Sequence, residues 1–342
     1  MNREIYIEAA KSEILVLART YPVVAAFVCG STVYEAEPRE TDVDVRVILD
    51  GEPVPGFLVE RDGVPIEVTF TSLRNFLDEE QVLSHPVLPS DILRGRIIYD
   101  PTGMLSELKE RIGRRYGERR YIAARARKMF EEALEVTMRA QKDFEKEGRI
   151  PLWTFRGALF RAGEVPLILL DMPLTHRRLF LFLREAACRM RDDEVHGLGL
   201  EALGSSGISK AEALRALDET MTIFNTQEEI SHFYLSPLKR RYWERGTLMM
   251  IEEGLYAEAV WPLFTLVSLY CMDDPTKAER FWLLDRLGFN SHESCRRKFV
   301  WMKGWLDRIG SHLGGTFTTL SGGTSGLSFL RSTIKGFERP GG

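Results

Sequence analysis

The sequence predicts an α+β fold, a small mixed sheet flanked by helices and followed by an all-α region. Short apolar, β-branched runs separated by turn residues are confined to about the first 100 positions. From Glu118 onward the apolar spacing becomes helical, segment after segment, punctuated by Gly148, Pro151, Pro173, Gly197, Gly207 and Pro275. The length, 342 residues, is that of two domains rather than one. The expected division is a sheet domain at 1–117, a helical domain at 118–312 and a Gly/Ser/Thr-rich tail at 313–342. The boundary near 117 marks a change of structural class, not a flexible linker.

Residues 3–20 read as a helix with Ile5, Ala9, Ile14 and Leu17 near one stripe. Strands are expected at 23–29, 43–49, 57–60, 64–70 and 96–100, with helical segments at 72–83 and 102–116. Asp62-Gly63 is a hairpin dipeptide between the third and fourth strands. Helices are then expected at 119–146, 154–170, 176–191, 209–224, 226–246, 248–272, 276–287 and 291–312. The Gly-rich end, low in charge, reads as a flexible tail; a phosphate cradle there would lack the lysine that follows at phosphate-loop spacing.

The most informative stretch lies between the first two strands. The run from Val23 to Val28 ends in Gly30-Ser31, and after a ten-residue spacer the next strand opens as Asp42-Val43-Asp44-Val45. Strand alternation sends Asp42 and Asp44 to one face and Val43 and Val45 to the other. Two carboxylates that close repel each other unless a cation sits between them, and Mg²⁺ takes such oxygen ligands while leaving positions for substrate phosphates. Gly30-Ser31 offers bare backbone N–H groups and a hydroxyl, which suit a phosphate. A third carboxylate, Glu67, stands mid-strand with Thr69 on the face opposite Ile66, Val68 and Phe70. A charge in that position needs a partner. Phosphate loop and carboxylates together point to phosphoryl or nucleotidyl transfer.

Gly-Ser, the ten-residue spacer, Asp-x-Asp and a later strand carboxylate resemble the DNA polymerase β-like nucleotidyltransferases. Ile66-Glu67-Val68-Thr69-Phe70 and Ile97-Ile98-Tyr99-Asp100 are most similar to the kanamycin (aminoglycoside) nucleotidyltransferases within that superfamily. The resemblance covers about the first 100 residues. It implies an N-terminal polymerase β-like nucleotidyltransferase domain followed by a helical domain for substrate binding and dimerisation. It also implies transfer of a nucleoside monophosphate from a triphosphate, ATP in the first instance, to a hydroxyl, with two Mg²⁺ ions and release of pyrophosphate. Gly30 and Ser31 would hold the triphosphate, Asp42 and Asp44 the metals; Glu67 would be a metal ligand or help activate the acceptor hydroxyl. In the helix that follows, Glu135 matches the family's general base and Arg139 stands where the family has a lysine, a planar fork in place of a point charge. Glu131, Glu132 and Glu135 with Lys128 and Arg139 equally describe a solvated helix face with i,i+4 pairs. The segment from 154 to His176-Arg177-Arg178 bears a weaker likeness to the dimer-forming helical domain of those enzymes, which implies a homodimer.

Composition sets the remaining bounds. At 44% hydrophobic and 28% charged, the chain can build a proper core, and no apolar run reaches membrane-spanning length. The opening Met1-Asn2-Arg3-Glu4 lacks a signal-peptide layout, and Cys29, Cys188, Cys271 and Cys295 stand far apart, so reduced thiols in a cytoplasmic protein are expected. Cys29 reads as a small core residue. The net charge of −4 argues against a nucleic-acid partner. Six histidines never fall as H-x-x-x-H, so zinc is not expected. The basic runs Lys239-Arg240-Arg241 and Arg296-Arg297-Lys298 read as solvated helix faces. Tyr242, Trp243, Trp261, Trp282, Trp301 and Trp305 read as packing between helices, some of them as candidates to line an acceptor pocket.

Three functions fit these residues. One is nucleotidyl transfer to a small hydroxylated molecule such as an aminoglycoside-like antibiotic. The second is the same chemistry on a protein or tRNA. The third is a non-catalytic nucleotide-binding or antitoxin module, for which three clustered carboxylates would be superfluous.

Overall fold

The structure is a computed structural model and describes residues 3–34, 42–226 and 232–318. The chain forms two compact units. The first comprises Met1–Arg125, Pro173–Thr175 and Glu228–Arg245; the second comprises Ala126–Met172, His176–Gln227 and Gly246–Gly342. The first unit therefore extends past residue 117 and takes in two short segments from later in the chain.

In the first unit, α1 (Arg3–Leu17), β1 (Val23–Cys29) and the short α2 (Ser31–Tyr34) precede β2 (Val43–Leu49), β3 (Phe57–Arg61) and β4 (Val64–Ser72). Next come α3 (Glu79–Ser84), α4 (Leu88–Arg94), β5 (Arg96–Tyr99) and α5 (Met104–Arg115). The five strands form one mixed sheet in the order β3-β4-β2-β1-β5, with β2 and β4 parallel and the other pairs antiparallel. Asp62 and Gly63 both take positive φ, 54° and 74°, so the β3–β4 connection has the backbone that matches strand twist, and Arg61 pairs with Val64 across it.

Strand alternation supplies two cores. Val43, Val45 and Val47 join Ile66 and Val68 under Tyr6, Ile7, Ala10 and Ile14 of α1. On the other face Ala25, Phe27 and Ile48 pack against Phe76, Val82, Leu83, Ile92, Leu105 and Leu108. The expected helix at 72–83 is two pieces, a 3₁₀ turn (Leu73–Phe76) and α3, because the Asp78 side chain accepts from the backbone N–H groups of Glu80 (2.9 Å) and Gln81 (3.2 Å) and starts a new helix. Sequence reading passed over α4, whose Pro89 falls in the first turn, where proline is tolerated.

The helical unit contains most of α6 (Arg119–Glu147), then α7 (Leu152–Leu169), α8 (Leu179–Met190), α9 (Glu194–Leu203) and α10 (Lys210–Asn225). The helix expected at 226–246 begins later than its spacing suggests. A 3₁₀ turn (Phe233–Leu235) leads into α11 (Pro237–Glu252), since proline fits the first helical position; residues 227–231 of that expectation lie outside the described residues. Gly254, at φ 82°, ends α11, so the expected helix at 248–272 is divided and α12 runs Tyr256–Tyr270. After a 3₁₀ stretch (Pro275–Arg280) come α13 (Trp282–Arg286) and α14 (His292–Thr318). The tail expected from 313 thus starts as helix; its part beyond 318 lies outside the described residues. Trp261 and Trp305 are wholly buried, their indole N–H groups donating to the carbonyls of His176 (2.5 Å) and Val195 (2.6 Å), as packing side chains. Among the described residues no helix is long and apolar enough to cross a membrane.

Candidate active site

The parallel register of β2 and β4 pairs Asp44 with Glu67, placing their side chains on one face, and Asp42 joins them two residues before Asp44. One oxygen from each of the three carboxylates lies within 4.8 Å of the others. Asp42 and Glu67 are buried. The Thr32 hydroxyl donates to the Asp42 carbonyl at 2.9 Å, tying the turn after β1 to the start of β2. Gly30 takes φ 72°, and a Cβ there would lie 2.0 Å from Asp44 Oδ2. Only glycine lets the turn come that close to the carboxylate. Ser31 opens α2 directly after this glycine. Cys29 lies in the sheet core; burial first, then the Asp91 carboxylate, pushes its thiol well up, which suits packing and not nucleophilic attack.

Burial and then the charges of Asp42 and Glu67 hold the Asp44 carboxyl well above the usual carboxylate range. Three clustered carboxylates therefore demand cations. Part of that demand is met within the chain. Lys239, on α11, is only 2% exposed and its Nζ donates to both Asp42 Oδ2 and Glu67 Oε2. Burial works against its charge, but Asp42, Glu67 and Asp44 more than offset this and raise its pKa well above that of an ordinary lysine. Tyr234 donates its phenol O–H to Glu67 Oε1 at 2.9 Å, and its ring lies 4.8 Å from Lys239 Nζ. The Trp243 indole in turn donates to the Tyr234 carbonyl at 3.2 Å. Nearby on β2, Arg46 pairs with Asp91 of α4 at 3.1 Å.

Lys239 corrects the reading of Lys239-Arg240-Arg241 as a solvated face. Its partners lie 197 and 172 residues earlier in the chain, so no local spacing announces it. The one sequence signal is the aromatic company of Tyr234, Tyr242 and Trp243. The second basic run also hides a lysine. Lys298 donates to the carbonyls of Leu203 (2.9 Å) and Ala202 (3.4 Å) at the end of α9, and burial pushes its pKa down to about 7.

Glu135 and Arg139 make the i,i+4 pair that the solvated alternative expects. They lie on the helical-unit part of α6, both well exposed, and pair with each other at 2.9 Å. Among the described residues this i,i+4 pair is what holds Glu135. The helical unit also holds a cavity of about 590 Å³ lined by Trp153, Phe289, His292, Arg149 and Glu279. None of the tryptophans singled out from sequence lines it.

The donor set fits a hard divalent cation. All three side chains present oxygen, they converge on one strand pair, and their mutual repulsion favours a cation. Asp44, whose side chain makes no hydrogen bond among the described residues, is the ligand best placed for it, with Asp42 beside it.

No family model matches the sequence, and no curated protein is similar to it. Among solved structures, the chain is similar to a nucleotidyltransferase-like protein from Exiguobacterium sibiricum at 13% identity and a TM-score of 0.32, covering 73% of this chain and 92% of that one. A likeness that slight leaves the functional reading to the site itself.

Proposed function

We propose that this protein is a nucleotidyltransferase, moving a nucleoside monophosphate from a nucleoside triphosphate to a hydroxyl of a small acceptor. The observation that carries this is the triad of Asp42, Asp44 and Glu67, gathered on two parallel strands behind the Gly30-Ser31 turn. The acceptor oxygen attacks the α-phosphorus, the bond to the bridging oxygen of the β-phosphate breaks, and pyrophosphate leaves. The hydroxyl proton passes to a carboxylate of the triad. Asp44 and Asp42 would hold Mg²⁺, which when bound would offset the triphosphate charge and polarise the reacting phosphate. Gly30 and Ser31 would orient the triphosphate through backbone N–H groups and a hydroxyl, while the Lys239 ammonium adds a fixed positive charge beside it. ATP as donor, an aminoglycoside-like acceptor and a homodimer belong to the same proposal and follow from the sequence resemblance, and a cytoplasmic setting follows from the spread of the cysteines.

A second reading, a non-catalytic nucleotide-binding module, is favoured by one observation: Lys239 already neutralises part of the triad. One experiment separates the two. Pyrophosphate release is measured from each of the four nucleoside triphosphates with Mg²⁺ across a panel of aminoglycosides and other hydroxylated acceptors, with Asp44→Asn as control. Acceptor-dependent release abolished in the variant establishes the transferase. Triphosphate binding without release on any acceptor, proteins and tRNA included, establishes the binding module.

A further inference from the structure

The three carboxylates are unequally engaged. Glu67 has both oxygens on protein donors, Oε1 on the Tyr234 hydroxyl at 2.9 Å and Oε2 on the Lys239 ammonium. Asp42 gives one oxygen to the same ammonium. Asp44 has no side-chain hydrogen bond among the described residues, although its pair partner across the strands is Glu67. Lys239 is not a surface side chain that happens to reach in. Its head is buried, it passes the rings of Tyr234 (4.8 Å) and Tyr242 (5.7 Å), and Trp243 pins the Tyr234 backbone. Burying a lysine head is costly unless paired, and here its pairing consists of two carboxylates of the triad.

From this we infer that the triad takes one divalent cation, not the two its sequence suggests, and that the Lys239 ammonium fills the place and the charge of the second. Three carboxylates and one ammonium leave a formal charge of −2, which a single divalent ion cancels. That ion sits on Asp44 and Asp42. Glu67 becomes the residue that positions Lys239, with Tyr234 holding its other oxygen. An ammonium supplies charge and hydrogen bonds but no bound hydroxide, so the second cation of this site contributes electrostatics alone. The inference rests on reading the triad as a metal site, though not on the identity of donor or acceptor.

Mn²⁺ binding decides it. Full-length protein is titrated with Mn²⁺ alone, free ion being followed by electron paramagnetic resonance, for wild type, Asp44→Asn and Lys239→Met. The expected result is one ion per chain in wild type and none in Asp44→Asn. Lys239→Met should take two ions, or one at least ten-fold more tightly, and its thermal midpoint should rise more with Mn²⁺ than that of wild type. Two Asp44-dependent ions in wild type overturn the inference, as does no binding at all, or an unchanged titration in a folded Lys239→Met. Should Lys239→Met not fold, the wild-type stoichiometry still decides, and Lys239→Gln provides a second variant. Pyrophosphate release from the same samples separates the two claims. Two ions with release sinks the one-ion inference alone, whereas one ion without release on any acceptor sinks the transferase alone.

Discussion

Replacing Lys239 with methionine keeps the length of the side chain and removes its charge. The side chains concerned are nearly dry: Lys239 is 2% exposed, Asp42 4% and Glu67 7%. Removing one partner of a buried ion pair leaves an uncompensated charge and costs about 3–5 kcal/mol. Two carboxylates lose their cation here, so the upper part of that range is expected. For a chain of this size the thermal midpoint should fall by roughly 4–7 °C. Urea unfolding without divalent ions, followed by circular dichroism, measures the loss. Adding Glu67→Gln to the variant should recover part of it, with a coupling of about 1 kcal/mol or more, because neutralising one stranded carboxylate relieves the repulsion. A loss below about 1 kcal/mol, the scale of an exposed pair, would refute the reasoning. Lys239 would then be solvated and the triad would not depend on it.

Three further outcomes follow from the same geometry. Gly30→Ala should lower acceptor-dependent pyrophosphate release by at least about a hundred-fold, since positive φ disfavours alanine and the new Cβ would push Asp44 aside; release within a few-fold of wild type would show that Asp44's position is not critical. Glu135→Gln should leave release within about two-fold, because Glu135 is well exposed and its pair with Arg139 holds it along the helix face; a loss of about a hundred-fold or more would identify Glu135 as the base. Lys298 titrates in the fold at about 7 against 10.5 ordinarily, so the unfolded chain binds the extra proton between those values. Its contribution is therefore fully present above about pH 10.5 and is lost as pH falls through about 7. Urea melts at pH 7 and pH 9.5 should show wild type gaining stability relative to Lys298→Met at the higher pH, and an unchanged difference would place Lys298 in contact with water.

The sheet was largely legible because its signals are local. Val23–Cys29 and Val43–Leu49 fall where apolar alternation puts them, and Asp62-Gly63 makes the turn its dipeptide favours. Boundaries in the helical region were less legible. Pro237, Gly254 and Asp78 act as caps or stops only once the chain around them has taken its path, and periodicity alone runs straight past them. Glu135 shows the converse. A run of glutamates on a helix carries the same pattern whether it faces a substrate or water.

By itself, then, the sequence determined that Asp42, Asp44 and Glu67 leave their strands on the face opposite the valines, since the two-residue period of a strand is a property of neighbouring residues. The charge of the finished site was decided only by the tertiary structure. It brings Lys239 across 197 residues onto Asp42, and it buries one lysine from each of two basic runs that look alike on paper. Whether an ammonium sits in water or among carboxylates depends on what packs over it, and that information is spread through the whole chain.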